Sequence, residues 1–358
     1  MLSVMGTNTT GRPDSKPVGR MLRRSGTLTL VPLIAGAVVG VHPAWFGLST
    51  TPYVLHVISF RGLMAIGFAL LGAAAACTLL FDRAARSRTP GSGRPWRRRT
   101  AALVLVGAAL VQFAILGQRG WAAAPIPGRA DLVVVSSNTL DGAATPADIA
   151  ELVSAELGDA EAAMVSLPET NHALAQQVAD SLARRGQLFQ VFSTSEGTSR
   201  FGTTSLLIDT RLGPYRQLPA PKMLLGAVLA EPVDGKGPVL VAVHPGAPTP
   251  DVGYPQWRAY VDSAVGLSRD HPNSVVAGDF NTTIDHQMLR NLEPSFDAAT
   301  RAGRAAEGTW PSDFPAALSA PIDHVLLHGD FTVLGTRTQR LGGSDHRALI
   351  ARLRLVRQ

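Results

Sequence analysis

"VVAGDFNTT", residues 275–283, runs from two β-branched residues through a small pair into an acid, an aromatic and an amide. Val275 and Val276 leading to Ala277-Gly278 predict a buried strand that reaches a turn at the glycine. On an extended segment residues i and i+2 point the same way, so Asp279 and Asn281 face one spot while Phe280 turns into the core. A carboxylate beside a neutral amide suits a hard cation, a water nucleophile or a phosphoryl oxygen. The same pair also suits a plain strand end, where Asp and Asn make a turn.

Around this stretch, strand and helix patterns mix. Strands are expected at 131–140, 162–170, 203–209, 224–230, 238–245, 320–329, 331–339 and 345–355. Helices are expected at 145–157, where Thr145 can cap and Pro146 takes the first position, and at 172–186 and 254–270. Such mixing predicts packed sheets with helices outside. Polar residues recur where these strands end: Asn138, Glu169, His244, Asp279 with Asn281, Asp323 with His324, and Asp345 with His346. Each alone could be a loop residue or a satisfied core group. Six sites of one chemical type argue for a shared one.

The N-terminal third differs. Residues 1–130 carry 15 of the 33 Lys and Arg but only Asp14 and Asp82 as acids, whereas the remainder has 18 bases against 25 acids. Three apolar runs, 27–48, 61–81 and 101–117, approach the roughly 20 residues that cross a hydrocarbon core. Bases flank them at Lys16, Arg20, Arg23 and Arg24, and again through 82–100, while the stretch 49–60 has neither Lys nor Arg. The positive-inside rule places the N-terminus and the 82–100 loop in the cytoplasm and everything after about residue 120 outside. Arg61 reads as a boundary residue at the outer end of the second span. The expected organisation is a basic cytoplasmic N-terminus (1–26), three transmembrane helices (27–119), an extended Pro/Gly linker (120–130) and a globular domain (131–358). Cys77 is the only cysteine, so a disulfide framework or cysteine-based zinc site within the chain is excluded.

Asn138, Glu169, "VHPGAP" (243–248), "GDFN" (278–281), "IDHV" (322–325) and "GGSDHRAL" (342–349) follow the order of the endonuclease/exonuclease/phosphatase superfamily, which the chain resembles over about 131–355. The resemblance implies a four-layer α/β sandwich of two packed mixed sheets flanked by helices, and metal-dependent phosphoester hydrolysis. The preceding apolar runs and "GTWP" (308–311) are similar to an actinobacterial membrane branch linked to glycopeptide (teicoplanin) resistance. That likeness implies an outward-facing domain acting on polyprenyl pyrophosphate. Two positions depart from the usual pattern: Pro168 stands before Glu169 where Gln is common, and Ser137 before Asn138 where an aromatic or Asn is usual.

Carried over residue by residue, the resemblance implies Glu169 as the main ligand of Mg²⁺ (Mn²⁺ being the alternative), with Asn138 and Asp345 nearby. It implies Asp279 to orient or deprotonate water, Asn281 to bond a phosphoryl oxygen, Asp323 to orient His346, and His244 to stabilise the transition state. Which of Asp279 and His346 takes the proton stays open. His324 is assigned to structure, because alternation turns it away from Asp323. Expected partners are the lipid bilayer and a lipid-linked phosphate, with no protein partner. Nucleic acid fits less well, because the acidic C-terminal part has only Lys222 and Lys236 as lysines. A nuclease or phosphodiesterase of the same superfamily, and a non-catalytic membrane receptor, are the rival readings.

Overall fold

The structure is a computed structural model and describes residues 31–86, 95–121, 123–194 and 203–355. The expected basic N-terminus (1–26), the start of the first apolar run and part of the 82–100 loop lie outside the described residues.

Two six-stranded mixed sheets pack face to face. The first has strands β1 (Leu132–Ser136), β2 (Ala162–Pro168), β3 (Phe189–Ser193), β4 (Thr204–Asp209), β11 (Phe331–Arg340) and β12 (Arg347–Leu355), in the order β11-β12-β1-β2-β4-β3. The second has β5 (Tyr215–Leu218), β6 (Ala227–Pro232), β7 (Val239–Val243), β8 (Ser274–Asp279), β9 (Phe296–Asp297) and β10 (Asp323–His328), in the order β5-β6-β7-β8-β10-β9. Among the described strands, only β1–β2 and β7–β8 pair in parallel.

Alternation explains the layers. In β1, Leu132 and Val134 enter the core between the sheets with Leu240, Val275 and Val325, while Val133 and Val135 face the outer core. There they meet α5 (Pro146–Leu157) and α6 (His172–Ala183) through Ile149, Val153, Val178 and Leu182. On the far side, α7 (Tyr254–Asp270) packs Trp257, Val261 and Val265 on Val241, Val243 and Val276. The helix starts follow the sequence rules: Thr145 Oγ1 accepts from Asp148 N at 3.2 Å with Pro146 behind it, and Asn171 Oδ1 accepts from Leu174 N at 2.9 Å. Strands β3 and β5 were not expected. Both lie at sheet edges and are five and four residues long, too short for alternation to stand out.

Before the sheets come α1, described over Val31–Val41, then α2 (Val54–Ser59), α3 (Arg61–Arg86) and α4 (Pro95–Arg119). Among the described residues two helices, not three, are long and apolar enough to cross a membrane by length and composition: Arg61–Leu80 and Trp96–Arg119. The expected span at 27–48 is not one helix over its described part. Its helix stops at Val41, and Pro43 opens a separate 3₁₀ turn (Pro43–Phe46). α3 and α4 lie so close at Gly72 that a Cβ there would sit 2.9 Å from Val106 Cγ2.

The helices are not loosely attached. Asp285 accepts from Arg61 Nε (3.1 Å) and Nη2 and from Arg119 Nη1 (2.8 Å) and Nη2 (2.6 Å). Arg61, read as a snorkelling boundary residue, is instead only 4% exposed, because this carboxylate and Gln112 Oε1 take its donors. Leu55 on α2 is buried against the α7 layer, and its carbonyl faces His286 Nε2 at 3.1 Å. Gly62 passes so near that a Cβ would lie 2.0 Å from Ala317 O. The stretch 120–130 is likewise fastened rather than free: Ala305 N and Ala306 N donate to Arg119 O and Gly120 O (3.1 Å each), and Ile126 N to Leu334 O (2.6 Å).

Candidate active site

All eight residues singled out in the sequence line one cavity of about 370 Å³, except Asp323, which lies just behind it. Topology brings them together. The parallel strands β1 and β2 deliver Asn138 and Glu169 past their C-terminal ends, and β7 and β8 deliver His244 and Asp279 at the same end. β10 runs antiparallel to β8, so Asp323 at its start sits directly opposite Asp279. β12 runs antiparallel to β1, so His346 just before it arrives beside Asn138. Gly278 is needed for this closeness: a Cβ there would meet Val243 O at 1.9 Å.

Asp279 is the hub. Its Oδ2 lies 3.2 Å from Asn138 Nδ2, 3.4 Å from His244 Nε2 and 3.7 Å from His346 Nε2, and its Oδ1 accepts from Asn281 N at 2.8 Å. Burial opposes its charge, but His346 and His244 outweigh that and hold its carboxyl down at about 2. His346 Nδ1 faces Asp323 Oδ2 at 2.9 Å. Burial disfavours the imidazolium, yet Asp323 and Asp279 push His346 up to about 10. Both ring nitrogens of His346 face carboxylates, so both carry protons at neutral pH. Asn281 reaches the site by a route the strand argument did not foresee. β8 ends at Asp279, and Asn281 sits in left-handed backbone at φ 49°, its Nδ2 3.3 Å from His244 Nε2. Phe280 is buried in the α7 layer, as alternation required.

Glu169 lies at the other side of Asn138. Its Oε1 accepts from Asn138 Nδ2 (3.0 Å) and its Oε2 from Asp141 N (2.9 Å). Asp345 Oδ2 accepts from Trp310 Nε1 at 2.9 Å. Four of the six described non-glycine residues with positive φ, Leu140, Asp141, Glu169 and Asn281, flank this cavity. Such backbone costs about 1 kcal/mol or more each and persists where surrounding structure enforces it, typically at functional sites.

Two groups of side chains could hold a cation. Asp279, Asp323 and His346 place one ligand atom each within 4.8 Å of one another, and Asp323 Oδ1 has no hydrogen-bond partner; His346 would have to give up a ring proton to serve there. Glu169, Asn138 and Asp345 offer an all-oxygen set, with the unpartnered Asp141 Oδ1 beside it. Oxygen donors of this kind fit a hard divalent cation.

His324 points away, as expected. Its Nδ1 faces Asp297 Oδ2 and its Nε2 faces Thr282 O, each at 3.0 Å, and its ring meets Phe280 edge-on. Sequence reasoning missed the cavity wall formed by His56, Ser59 and Phe60, all from the stretch between the first two apolar runs. The one signal was that this uncharged stretch carries a histidine and an aromatic next to an apolar run.

Several solved structures are similar to this chain at low identity. An endonuclease/exonuclease/phosphatase from Beutenbergia cavernae DSM 12333 is 20% identical, covering 63% of this chain and 72% of that one, with a TM-score of 0.42. An endonuclease/exonuclease/phosphatase family protein from Bacteroides thetaiotaomicron is 14% identical (62% and 94% covered, TM-score 0.43). The inositol polyphosphate 5-phosphatase domain of SPsynaptojanin, in complex with inositol (1,4)-bisphosphate and calcium ion, is 15% identical (63% and 85%, TM-score 0.41). No curated protein matches the sequence. The Endonuclease/Exonuclease/phosphatase family matches residues 135–346, from the end of β1 through His346, more than half of the chain. The chain belongs to that family, and is a phosphoester hydrolase with a candidate metal site.

Proposed function

We propose that this is a membrane-anchored, outward-facing phosphohydrolase that cleaves a lipid-linked phosphoester such as polyprenyl pyrophosphate, within the actinobacterial membrane branch its sequence resembles. The observation that carries the reading is the position of the cavity. Phe60 lines it together with Asp279 and His346, and the next residue, Arg61, begins a 20-residue apolar helix. Large apolar side chains on that helix and its partner are exposed, among them Leu70, Leu71, Leu103 and Leu110. The core helix of a soluble domain would bury them, whereas lipid would cover them. The domain touches α3 at its start and α4 at its end, so it sits at the far end of α4 from Arg97, Arg98 and Arg99. That arrangement supports an outside domain by the positive-inside rule. The cavity has a polar floor and an apolar wall that includes Phe60, Leu140, Leu225 and Ile322. Such a lining suits a phosphate carried by a hydrocarbon.

For the chemistry, Glu169 with Asn138 and Asp345 would hold Mg²⁺, which supplies charge neutralisation at the phosphoryl oxygens. Asp279, ionised, positions a water against phosphorus and takes its proton as the new P–O bond forms. The bond to the leaving oxygen breaks, and that oxygen takes up a proton. His346, already doubly protonated and held by Asp323, donates to a phosphoryl oxygen rather than acting as base. Asn281 Nδ2 and His244 add donors around the same group.

The test uses full-length protein in bilayer nanodiscs with Mg²⁺. Phosphate release from polyprenyl pyrophosphate is expected, leaving the monophosphate. Cleavage of DNA or RNA with the lipid left intact would replace this reading with a nuclease.

A further inference from the structure

We infer that the segment Val54–Phe60 is a substrate-binding element of the catalytic site, and that Phe60, with His56 and Ser59 beside it, receives the apolar portion of an amphipathic phosphoester. The inference rests on the membrane reading above in assigning the apolar portion to a lipid chain.

Three observations carry it. First, these residues line the same cavity as Glu169, Asp279 and His346 although they lie outside the hydrolase domain in sequence. Second, the segment is held in place by independent contacts on both sides. Leu55 is buried against the α7 layer, its carbonyl receives His286 Nε2, and Arg61 is clamped to Asp285. A wall fastened this firmly is part of the site. Third, Phe60 packs against Trp310, ring centroids 5.9 Å apart and tilted by 50°, and Trp310 Nε1 donates to Asp345 at 2.9 Å. The aromatic pair therefore continues directly from the metal-side carboxylate to the start of α3. A phosphate on the polar floor leaves its substituent facing Phe60, Trp310, Leu225 and Ile322. Those groups gain free energy by covering hydrocarbon and offer few partners for the hydroxyls of a sugar.

The test measures binding, not turnover. Methyl phosphate and hexyl phosphate are titrated calorimetrically into full-length protein in nanodiscs with Mg²⁺. Hexyl phosphate should bind more tightly to the wild type. Phe60→Ala should reduce that preference about tenfold, the order expected for losing contact with one or two methylenes. Phe60→Leu should keep most of it. Val233→Ala, an exposed side chain just past the far end of β6 and outside the cavity, should leave it as in the wild type. Retained methyl phosphate affinity shows that the altered site is still folded. If Phe60→Ala loses both ligands, the preference is read in His56→Ala, where it should fall. An unchanged ratio in Phe60→Ala, or in His56→Ala where that variant is read in its place, overturns the inference. A wild-type protein that leaves polyprenyl pyrophosphate intact refutes the proposed function alone, since the hexyl-to-methyl ratio still decides this point.

Discussion

Replacing Asp285 by Asn should unfasten the helices from the hydrolase domain. The carboxylate is 8% exposed and accepts four hydrogen bonds from two guanidiniums that are themselves 5% and 16% exposed. Burial opposes its charge, yet Arg119 and Arg61 hold it well below the usual carboxylate range. Asn keeps the shape but leaves two buried cations around one neutral acceptor. Removing one partner of a buried ion cluster costs about 3–5 kcal/mol, the cost being mainly the charges left unpaired. Arg119 retains some solvent, which places the expectation near the lower figure, about two decades in the docking equilibrium. Hydrogen exchange reads this directly. The amides of Val54–Phe60 should exchange at least about tenfold faster in Asp285→Asn, with the strands of both sheets protected as before. Adding Arg61→Gln to that variant removes one stranded cation and should recover part of the protection. Unchanged exchange at 54–60 in Asp285→Asn would refute the claim that this cluster holds the segment against the site.

Glu169→Gln keeps size but removes a ligand charge, and should lower kcat/KM at least about a hundredfold at millimolar Mg²⁺; near-wild-type activity would dismiss Glu169 as a ligand. Protease added to intact spheroplasts should reach loops of the hydrolase domain, and cleavage only after lysis would reverse the proposed orientation. Docking should also weaken in mild acid through His286: burial lowers it to about 4, against attraction from Asp285 and with His56 adding to the lowering. A histidine depressed in the folded state contributes stability above about pH 6.5 and loses it as pH falls toward 4, so about 2 kcal/mol should go between pH 7.5 and 5. His286→Gln should flatten that dependence, measured as exchange at 54–60, and an equally steep profile in the variant would exclude His286 as the cause.

The histidine's geometry gives the same answer as its burial. Nε2 faces Leu55 O, so it carries the proton, while Nδ1 accepts from Thr283 N at 2.9 Å. A second proton on Nδ1 would point at that N–H. Asp285, held far below neutrality, stays charged over the same range, so the two neighbours separate cleanly in a pH series.

How much of this was legible in the sequence follows from how local each signal is. The strands that carry Asn138, Glu169, Asp279 and Asp323 are buried on both faces and read as apolar runs ending in a polar residue. Their convergence could be expected once the order of the motifs resembled a known arrangement. Asn281 was placed on the correct face for an incomplete reason, since a left-handed residue and not strand alternation turns it there. The helices α3 and α4 were legible because length and hydropathy are summed over many residues. What could not be read was any contact between distant parts of the chain. Arg61 and Asp285 are 224 residues apart, and nothing near either one names the other. The six residues of α2 look like a connector, because their helix and burial depend on α7 and His286.

That non-local docking changes the argument for a membrane substrate. A flexible tether at 120–130 would only raise the local concentration of hydrolase near the bilayer, and any phosphoester at the surface would benefit alike. The chain there is instead bonded to the domain at Ala305, Ala306 and Leu334, and a Cβ on Gly120 would come within 1.9 Å of Gly303 O. With Arg61 and Arg119 on one carboxylate, the cavity keeps one orientation to both long helices. On the membrane reading, its apolar wall then opens at a fixed height, one residue from the start of α3. A substrate whose phosphate and hydrocarbon already sit on either side of that boundary meets the site without leaving the bilayer, whereas a soluble phosphoester draws no advantage from the fixed geometry. Loosening the dock should therefore cost the lipid substrate more than the soluble one, which ties the Asp285 cluster to specificity and not only to stability.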